Sequence, residues 1–338
     1  MDCSIIIRAY NEGRHLGRLL EGIQQQSVKD IEIILVDSGS SDETLAIAEA
    51  YAARIVHIQP QDFTFGRSLN LGLAAATHEL VVIASAHVYP VYPDWLERLL
   101  EPFNNPATGL TYGKQRGSPG SSTGRRASGP GSSTPNEYGG RRGRSTQTTK
   151  FSEHEIFARW FPEEPNLEQT QPFCNNANAA IRKRLWNEHS YDETLTGLED
   201  LAWAKWALNQ GYSLAYVPAA EIIHIHNETP RGVFNRYRRE AMAFKRIYPE
   251  AHFSLYDFIR MVSSNIINDL WQAAQQKVLV SSFASIFWFR WNQFWGTYQG
   301  YRQSLEWNWQ LRQTFYYPRG LEPEQTNKRD VEPIRYNR

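Results

Sequence analysis

Strand-like and helix-like segments alternate through the first hundred residues, and this alternation constrains the fold more than any other feature. Apolar runs that are typical of buried strands are separated by segments whose apolar residues recur at helical spacing. The four runs are CSIIIRAY, IEIILVD, RIVHIQP and ELVVIAS. Strands and helices that alternate in this way form parallel sheets with helices on both faces. The sequence therefore predicts an α/β domain with a mostly parallel, Rossmann-like sheet.

Polar and charged residues follow three of these predicted strands. They occupy residues 8–12, 37–42 and 85–87. In open α/β sheets the ligand crevice lies beyond the carboxyl ends of the strands, and all three segments fall at such ends. We expect them to line one binding site.

Composition limits the classes of partner. The 338 residues carry 36 Lys and Arg against 36 Asp and Glu, and this zero balance argues against a nucleic-acid binder, which needs a surplus of positive charge. The two cysteines, Cys3 and Cys174, form no CxxC pair, so neither a zinc ribbon nor a disulfide framework is predicted. Without a signal-like start or a long apolar run, the sequence predicts a cytoplasmic protein, either free or at the inner face of the membrane.

The composition changes along the chain and predicts three regions. Residues 1–228 form the predicted catalytic domain, in which the Gly-, Ser- and Arg-rich residues 117–149 are a predicted disordered insertion. Residues 229–318 are predicted to form an aromatic-rich helical C-terminal region, and residues 319–338 a polar tail. We expect the aromatic helices to pack on the catalytic domain, and peripheral membrane contact and homo-oligomerisation remain alternatives.

Five segments occur in a specific order and spacing: SIIIRAYNEGRHLGRLLEGI, IEIILVDSGSSDET, FGRSLNLGLAAATHELVVIASAH, NANAAIRK and GLEDLAWAKWALNQGY. Together they resemble family 2 inverting glycosyltransferases of the GT-A fold, and most of all the rhamnosyltransferase-like branch. The resemblance spans residues 4–227 apart from the insertion. It implies transfer of a sugar from a UDP- or dTDP-linked donor to a glycan or lipid-linked acceptor, with a divalent metal on the diphosphate. It also implies a setting in cell-surface polysaccharide synthesis.

The resemblance assigns the strand-end segments to the donor. Asp37 takes the nucleoside role, while Ser38 replaces a second acid that family members usually carry. For Asn11, Arg67 and Asn70 a purely structural role is the alternative, as helix caps and a surface arginine. The residues assigned to the nucleotide sugar are Arg8, Tyr10, Asn11, Glu12, Asp37, Ser38, Arg67, Asn70, Ser85 and Ala86.

The metal motif of the family is altered in VVIASAHVYP. Two acids one residue apart are usual there, whereas this chain has Ser85 and His87. Neutral imidazole binds Mn, Zn, Co or Fe, while Mg prefers oxygen ligands, so a divalent metal is predicted, with Mn favoured over Mg. His226 in HIHN is the predicted companion ligand. His224 is the weaker candidate and is expected to pack structurally.

Inversion requires a carboxylate that removes the proton of the acceptor hydroxyl. The resemblance gives this role to Asp200 in GLED, with Glu199 beside it at the start of a predicted helix, whose dipole is expected to keep Asp200 ionised. Asn176, Asn178 and Arg182 are assigned to the sugar and acceptor pocket.

Two other functions remain open at the level of sequence. A nucleotidyltransferase shares the nucleotide-binding architecture, but RAYNEGRHLGR matches its phosphate loop poorly. A non-catalytic sugar-nucleotide binding protein is favoured by the replaced acids at Ser38 and Ser85, and the retained Glu199–Asp200 pair argues against it.

Overall fold

The computed structural model describes residues 1–118, 149–226 and 228–303. The predicted disordered insertion lies almost entirely outside these described residues, and the predicted polar tail lies wholly outside them.

The first part of the chain forms the predicted alternating elements. They are β1 (Cys3–Ala9), α1 (Leu16–Gln24), β2 (Ile31–Asp37), α2 (Thr44–Ala50), β3 (Arg54–His57), α3 (Phe65–Ala75) and β4 (Leu80–Ser85). Strand β1 pairs in parallel with both β2 and β4, and β2 pairs in parallel with β3. The predicted parallel half-sheet is therefore confirmed, and the carboxyl ends of β1, β2 and β4 lie at one edge.

The second part of the chain extends the same sheet with mixed pairing. Its elements are β5 (Val88–Pro90), α4 (Trp95–Leu100), β6 (Thr108–Gly117), α5 (Phe151–Trp160), β7 (Asn166–Gln169), β8 (Asn178–Arg182), α6 (Lys183–Glu188), α7 (Glu199–Asn209) and β9 (Ser213–His224). The strand order is β3-β2-β1-β4-β8-β6-β9-β5, with β7 also on β9. Strand β8 runs antiparallel to both β4 and β6, whereas β6 and β9 are parallel.

Both faces of the sheet are buried. In β1 the side chains of Ile5 and Ile7 pack into one apolar cluster, while Ile6 packs into the cluster on the opposite face. All three are fully buried. Successive side chains of a strand point to opposite faces, so a continuous apolar run requires cover on both sides.

Three helices follow the sheet: α8 (Pro230–Ile247), α9 (Leu255–Gln275) and α10 (Leu279–Arg302). Helices α8 and α10 approach closely because α10 carries Gly296 and Gly300 against the α8 backbone. A Cβ atom on either glycine would lie 2.4 Å from a carbonyl oxygen of α8, at Phe234 and Arg238 respectively. This contact fixes α8, which carries side chains into the cavity described below.

The aromatic helices were predicted to pack on the rest of the protein, and one part of their surface does so. Ile286, Phe289 and Phe294 of α10 are buried. Large apolar side chains on another part of α9 and α10 are exposed: Tyr256, Ile259, Ile267, Trp271, Val280, Phe283, Phe287 and Trp291. The alternatives of membrane contact and oligomerisation stay predictions. Among the described helices, none combines the length and apolar character needed to cross a membrane.

A buried ion pair joins α9 to α10. The Arg290 guanidinium donates to both carboxylate oxygens of Asp269, at 2.7 and 2.9 Å. The two side chains are 2% and 0% exposed. The same guanidinium reaches the Ser152 carbonyl of α5 at 3.3 Å, so it also connects the helical region to the catalytic domain.

Asp269→Asn is expected to lower the free energy of unfolding by about 3 kcal/mol, because it leaves a buried guanidinium without its counter-charge. Arg260→Gln is the control, since Arg260 is exposed and lies 3.8 Å from Asp257, and it should cost less than about 1 kcal/mol. Urea denaturation of both variants makes the comparison. Equal losses would contradict a stabilising role for the buried pair.

Candidate active site

A cavity of about 920 Å³ opens at the sheet edge where the carboxyl ends of β1 and β4 lie. Helices α5, α7 and α8 also contribute to its walls. Ten of the residues assigned from sequence line it: Arg8, Tyr10, Asn11, Glu12, Ser85, His87, Asn176, Glu199, Asp200 and His226. Residues more than two hundred positions apart in the sequence, such as Arg8 and His226, therefore meet in one cavity.

Asp200 lies at the start of α7, where its carboxylate accepts hydrogen bonds from the Asn176 amide at 3.1 Å and the Leu201 amide at 2.8 Å. Burial in the cavity wall and the neighbouring charge of Glu199 raise the pKa of Asp200 to about 7. The prediction that the helix dipole keeps this carboxyl fully ionised is therefore wrong, because desolvation outweighs the amide hydrogen bonds. A carboxyl that titrates near neutrality is suited to exchange a proton with a ligand.

Glu199 has a different partner from Asp200. The Arg8 guanidinium at the end of β1 donates to the Glu199 carboxylate at 3.2 Å and also lies 4.9 Å from the centre of the Phe65 ring. The Glu199 side chain is 6% exposed. Glu199 is thus held in an ion pair that ties the sheet edge to α7, whereas among the described residues no guanidinium lies within hydrogen-bonding distance of Asp200.

Three histidines meet at another part of the wall. His87, His224 and His226 each offer a ring nitrogen, and these atoms all lie within 4.8 Å of one another. The Nε2 atoms of His224 and His226 are 3.0 Å apart. The antiparallel pairing of β5 with β9, which places Val88 opposite His224, brings His87 to the other two. His224 was expected only to pack structurally; it is buried, and it is also a member of this cluster.

Each ring of the cluster has a side-chain partner at Nδ1. The distances are 2.9 Å from His87 to Glu12 Oε1, 2.8 Å from His224 to Gln115 Oε1, and 2.6 Å from His226 to Glu153 Oε1. Three imidazoles held in this way fit a divalent transition metal, since histidine ligands in metal sites usually have such a hydrogen bond at the second ring nitrogen.

Glu153 and Arg236 were not identified from the sequence. Glu153 lies on α5 and its side chain is 2% exposed, and its Oε1 accepts from Arg236 Nη2 at 2.8 Å. Burial opposes ionisation of Glu153, but His226 and Arg236 outweigh it and lower its pKa to about 2. The segment SEHEIFARWFP indicates a helix. The only available signal for the role of Glu153 in holding His226 and Arg236 was a carboxylate on the buried face of that helix.

Two assigned donor residues lie outside the cavity lining and are almost fully buried. Asp37 accepts hydrogen bonds from the Gly39 and Ser40 amides at 3.0 and 3.1 Å, so it stabilises its own turn. The Ser38 hydroxyl donates to the Ala9 carbonyl at 3.3 Å. In this structure, neither the Asp37 nor the Ser38 side chain is therefore placed in the cavity where a nucleoside could contact it.

Five other assigned residues also lie outside the lining. Asn70 binds Trp186 and Tyr191, Arg67 pairs with exposed Glu193, and Ala86 is buried. Asn178 is fully buried and accepts from the Trp95 indole, so the structure does not bring it into the cavity wall. Arg182 donates to the carbonyls of Phe103, Asn105 and Thr108. Its register opposite Leu80 places it at the other edge of the sheet, away from the cavity.

Comparisons with known proteins point in one direction. Residues 4–188 match the family model described as "Glycosyl transferase family 2". The chain is 26% identical over 240 residues to an O-antigen chain rhamnosyltransferase of Salmonella typhimurium, covering 70% of each protein. It is 27% identical over 237 residues to an O-antigen chain rhamnosyltransferase of Salmonella anatum, covering 69% of each.

A solved structure shares the fold. It is a mannosyltransferase from Pyrobaculum calidifontis, described in complex with GDP-Man and Mn²⁺. The TM-score is 0.53 at 17% identity, over 88% of this chain and 84% of that one. At this level of identity the likeness concerns the fold alone.

Glu199→Gln is expected to lower the pKa of Asp200 from about 7 toward the ordinary range of a carboxyl group, because it removes a neighbouring negative charge and frees Arg8. The pKa can be measured by a ¹³C titration of labelled aspartate carboxyls, with the signal assigned by its loss in Asp200→Asn. Glu193→Gln, outside the cavity, should leave the pKa unchanged. An unchanged or higher pKa in Glu199→Gln would contradict the coupling.

Proposed function

The chain belongs to glycosyl transferase family 2, and from this premise we propose that it transfers a sugar from a nucleoside diphosphate donor to an acceptor hydroxyl with inversion. The protein is a glycosyltransferase with the GT-A fold, as its sequence motifs implied. The proposal of inverting sugar transfer depends above all on Asp200. Its carboxyl has a pKa raised to about 7 and lies in the wall of the cavity that also holds the histidine cluster.

Asp200 is proposed as the general base. Its carboxylate takes the proton of the acceptor hydroxyl while the oxygen forms a bond to the anomeric carbon, and the bond between that carbon and the diphosphate oxygen breaks. The bonding electrons leave with the nucleoside diphosphate. Attack from the face opposite the leaving group inverts the anomeric configuration. Glu199 and Arg8 position Asp200 but do not take the proton, since they are paired with each other.

The donor diphosphate is proposed to lie beside His87 and His226. These side chains would hold a divalent cation, with Mn favoured over Mg because imidazole is a poor ligand for Mg. When bound, the cation neutralises negative charge that accumulates on the departing diphosphate. The mannosyltransferase that shares this fold is described with GDP-Man and Mn²⁺, which supports a metal at the donor.

A rhamnosyl donor and a glycan or lipid-linked acceptor are proposed for this chain. Both curated relatives above are named O-antigen chain rhamnosyltransferases and match more than two thirds of the chain. A role in the assembly of a cell-surface polysaccharide follows from this likeness. The family match supports neither the nucleotidyltransferase nor the non-catalytic binding protein, and the retained Glu199–Asp200 pair argues against the latter.

Asp200→Asn is expected to reduce transfer by about 10²–10⁴-fold while nucleotide binding remains, because the amide cannot accept the proton. Transfer is measured as nucleoside diphosphate release across a panel of UDP- and dTDP-linked sugars that includes dTDP-rhamnose, with glycan acceptors. NMR of the product reports its anomeric configuration. Asp62→Asn, an exposed aspartate outside the cavity, is the control. Full transfer by Asp200→Asn, or retention of configuration, would refute the assignment.

The pH profile tests the same base independently. The carboxyl must be ionised to act, and its pKa is raised to about 7, so kcat/KM should be full above this pH and fall as the pH drops through it. The fall approaches about tenfold per pH unit, as for one required deprotonation. Glu199→Gln should move this limb to lower pH. A profile that is flat between pH 5 and 8 in the metal-loaded enzyme would be incompatible with this base.

A further inference from the structure

We propose that His87, His224 and His226 form a three-imidazole metal site that binds through the Nε2 atoms and selects Zn²⁺ or Co²⁺ over both Mn²⁺ and Mg²⁺. This site is the metal site of the proposed function. Metal binding itself does not depend on that function, and only the role of the metal beside the donor rests on it. The residues that set the geometry of the site are the three Nδ1 partners, Glu12, Gln115 and Glu153.

The Nδ1 partners determine which nitrogen carries the proton. The Glu153 oxygen near His226 already accepts a hydrogen bond from Arg236, which can only donate, and it lies 2.6 Å from His226 Nδ1. The proton of neutral His226 therefore lies on Nδ1. Arg236 Nη1 also lies 3.1 Å from the same Nδ1, but the contact with the Glu153 carboxylate is shorter, and it is a hydrogen bond only if Nδ1 carries the proton.

The same reasoning applies to the other two rings. Gln115 presents its carbonyl oxygen to His224 Nδ1 at 2.8 Å, and Glu12 presents a carboxylate oxygen to His87 Nδ1 at 2.9 Å. Each neutral ring thus donates from Nδ1 and has a lone pair at Nε2. The Nε2 atoms of His224 and His226 lie 3.0 Å apart, and His87 brings a third ring nitrogen to the cluster.

Two of these lone pairs face each other closely. The Nε2 atoms of His224 and His226 are 3.0 Å apart, and in this tautomer neither can donate to the other. A cation between the rings converts the repulsion into coordination. Zn–N bonds of about 2.0–2.1 Å in a tetrahedral site place the nitrogens about 3.3 Å apart, close to the observed separation.

The donor set decides the class of metal. Three neutral imidazoles bind divalent ions increasingly well from Mn²⁺ to Co²⁺ and Zn²⁺, whereas Mg²⁺ requires oxygen ligands. Within residues 1–118, 149–226 and 228–303, this is the one group of three or more close candidate ligands, and it contains no carboxylate. The carboxylates of Glu12 and Glu153 lie behind the rings, at the Nδ1 atoms of His87 and His226. Their negative charge increases the basicity of the coordinating rings.

The experiment measures binding of the metals themselves. The full-length protein is stripped with a chelator and dialysed against Mg²⁺, Mn²⁺, Co²⁺ or Zn²⁺, and the bound metal is determined by mass spectrometry. We expect one Co²⁺ or Zn²⁺ per chain, at least about tenfold weaker binding of Mn²⁺, and no competition by Mg²⁺. The visible absorption of the Co²⁺ form should be intense, as in sites with fewer than six ligands.

Variants assign the ligands. His224→Ala should abolish stoichiometric Co²⁺ binding, as should His87→Ala, while His252→Ala, an exposed histidine outside the cluster, should have no effect. Gln115→Met keeps an uncharged side chain of similar length but removes the acceptor, and it should weaken Co²⁺ binding about 10–100-fold with the Co²⁺ spectrum altered. Circular dichroism confirms that each variant is folded.

The outcomes separate this inference from the proposed function. Tight Co²⁺ binding in His224→Ala, or Mg²⁺ binding as strong as Co²⁺ binding, would overturn the three-imidazole site even if sugar transfer is found. One Co²⁺ per chain with the expected ligand dependence would support the site even if no sugar donor is used, in which case the proposed function alone fails.

Discussion

The buried carboxylate of Glu153 is the interaction on which the arrangement of the site depends. It accepts hydrogen bonds from His226 at the end of β9 and from Arg236 on α8 while it is itself on α5. Burial of a carboxylate that is 2% exposed is unfavourable unless its charge is paired, and here residues that follow β9 and lie on α8 supply the partners. Of the three C-terminal helices, α8 contributes side chains to the cavity wall, and α10 supports it because Gly296 and Gly300 pack against the α8 backbone.

The cavity separates two chemical tasks. On one side, Arg8 is paired with Glu199, and desolvation together with the charge of Glu199 raises the pKa of Asp200 to about 7. On the other side, Glu12 and Glu153 lie within hydrogen-bonding distance of His87 and His226, and Glu153 also accepts from Arg236. The proposed proton acceptor and the proposed cation site thus lie beside separate ion pairs.

The sequence predicted the elements that depend on local pattern. Strand ends were recognisable from apolar runs, and they correctly placed Arg8, Glu12 and His87 in one crevice. Strand direction and pairing are not encoded locally: β8 runs antiparallel between β4 and β6, which carries Arg182 to the opposite edge. Glu153 was missed for the same reason, since its role requires contacts with β9 and α8 that are distant in the chain.

Crystallography of the full-length protein with Co²⁺ and a nucleoside diphosphate tests the central claim most directly, because it tests metal and donor sites together. The anomalous signal of cobalt should give one peak bounded by Nε2 of His87, His224 and His226, with a diphosphate oxygen as a further ligand and Asp200 facing the same cavity. A cobalt peak elsewhere, or a diphosphate bound away from the three histidines, would contradict the account.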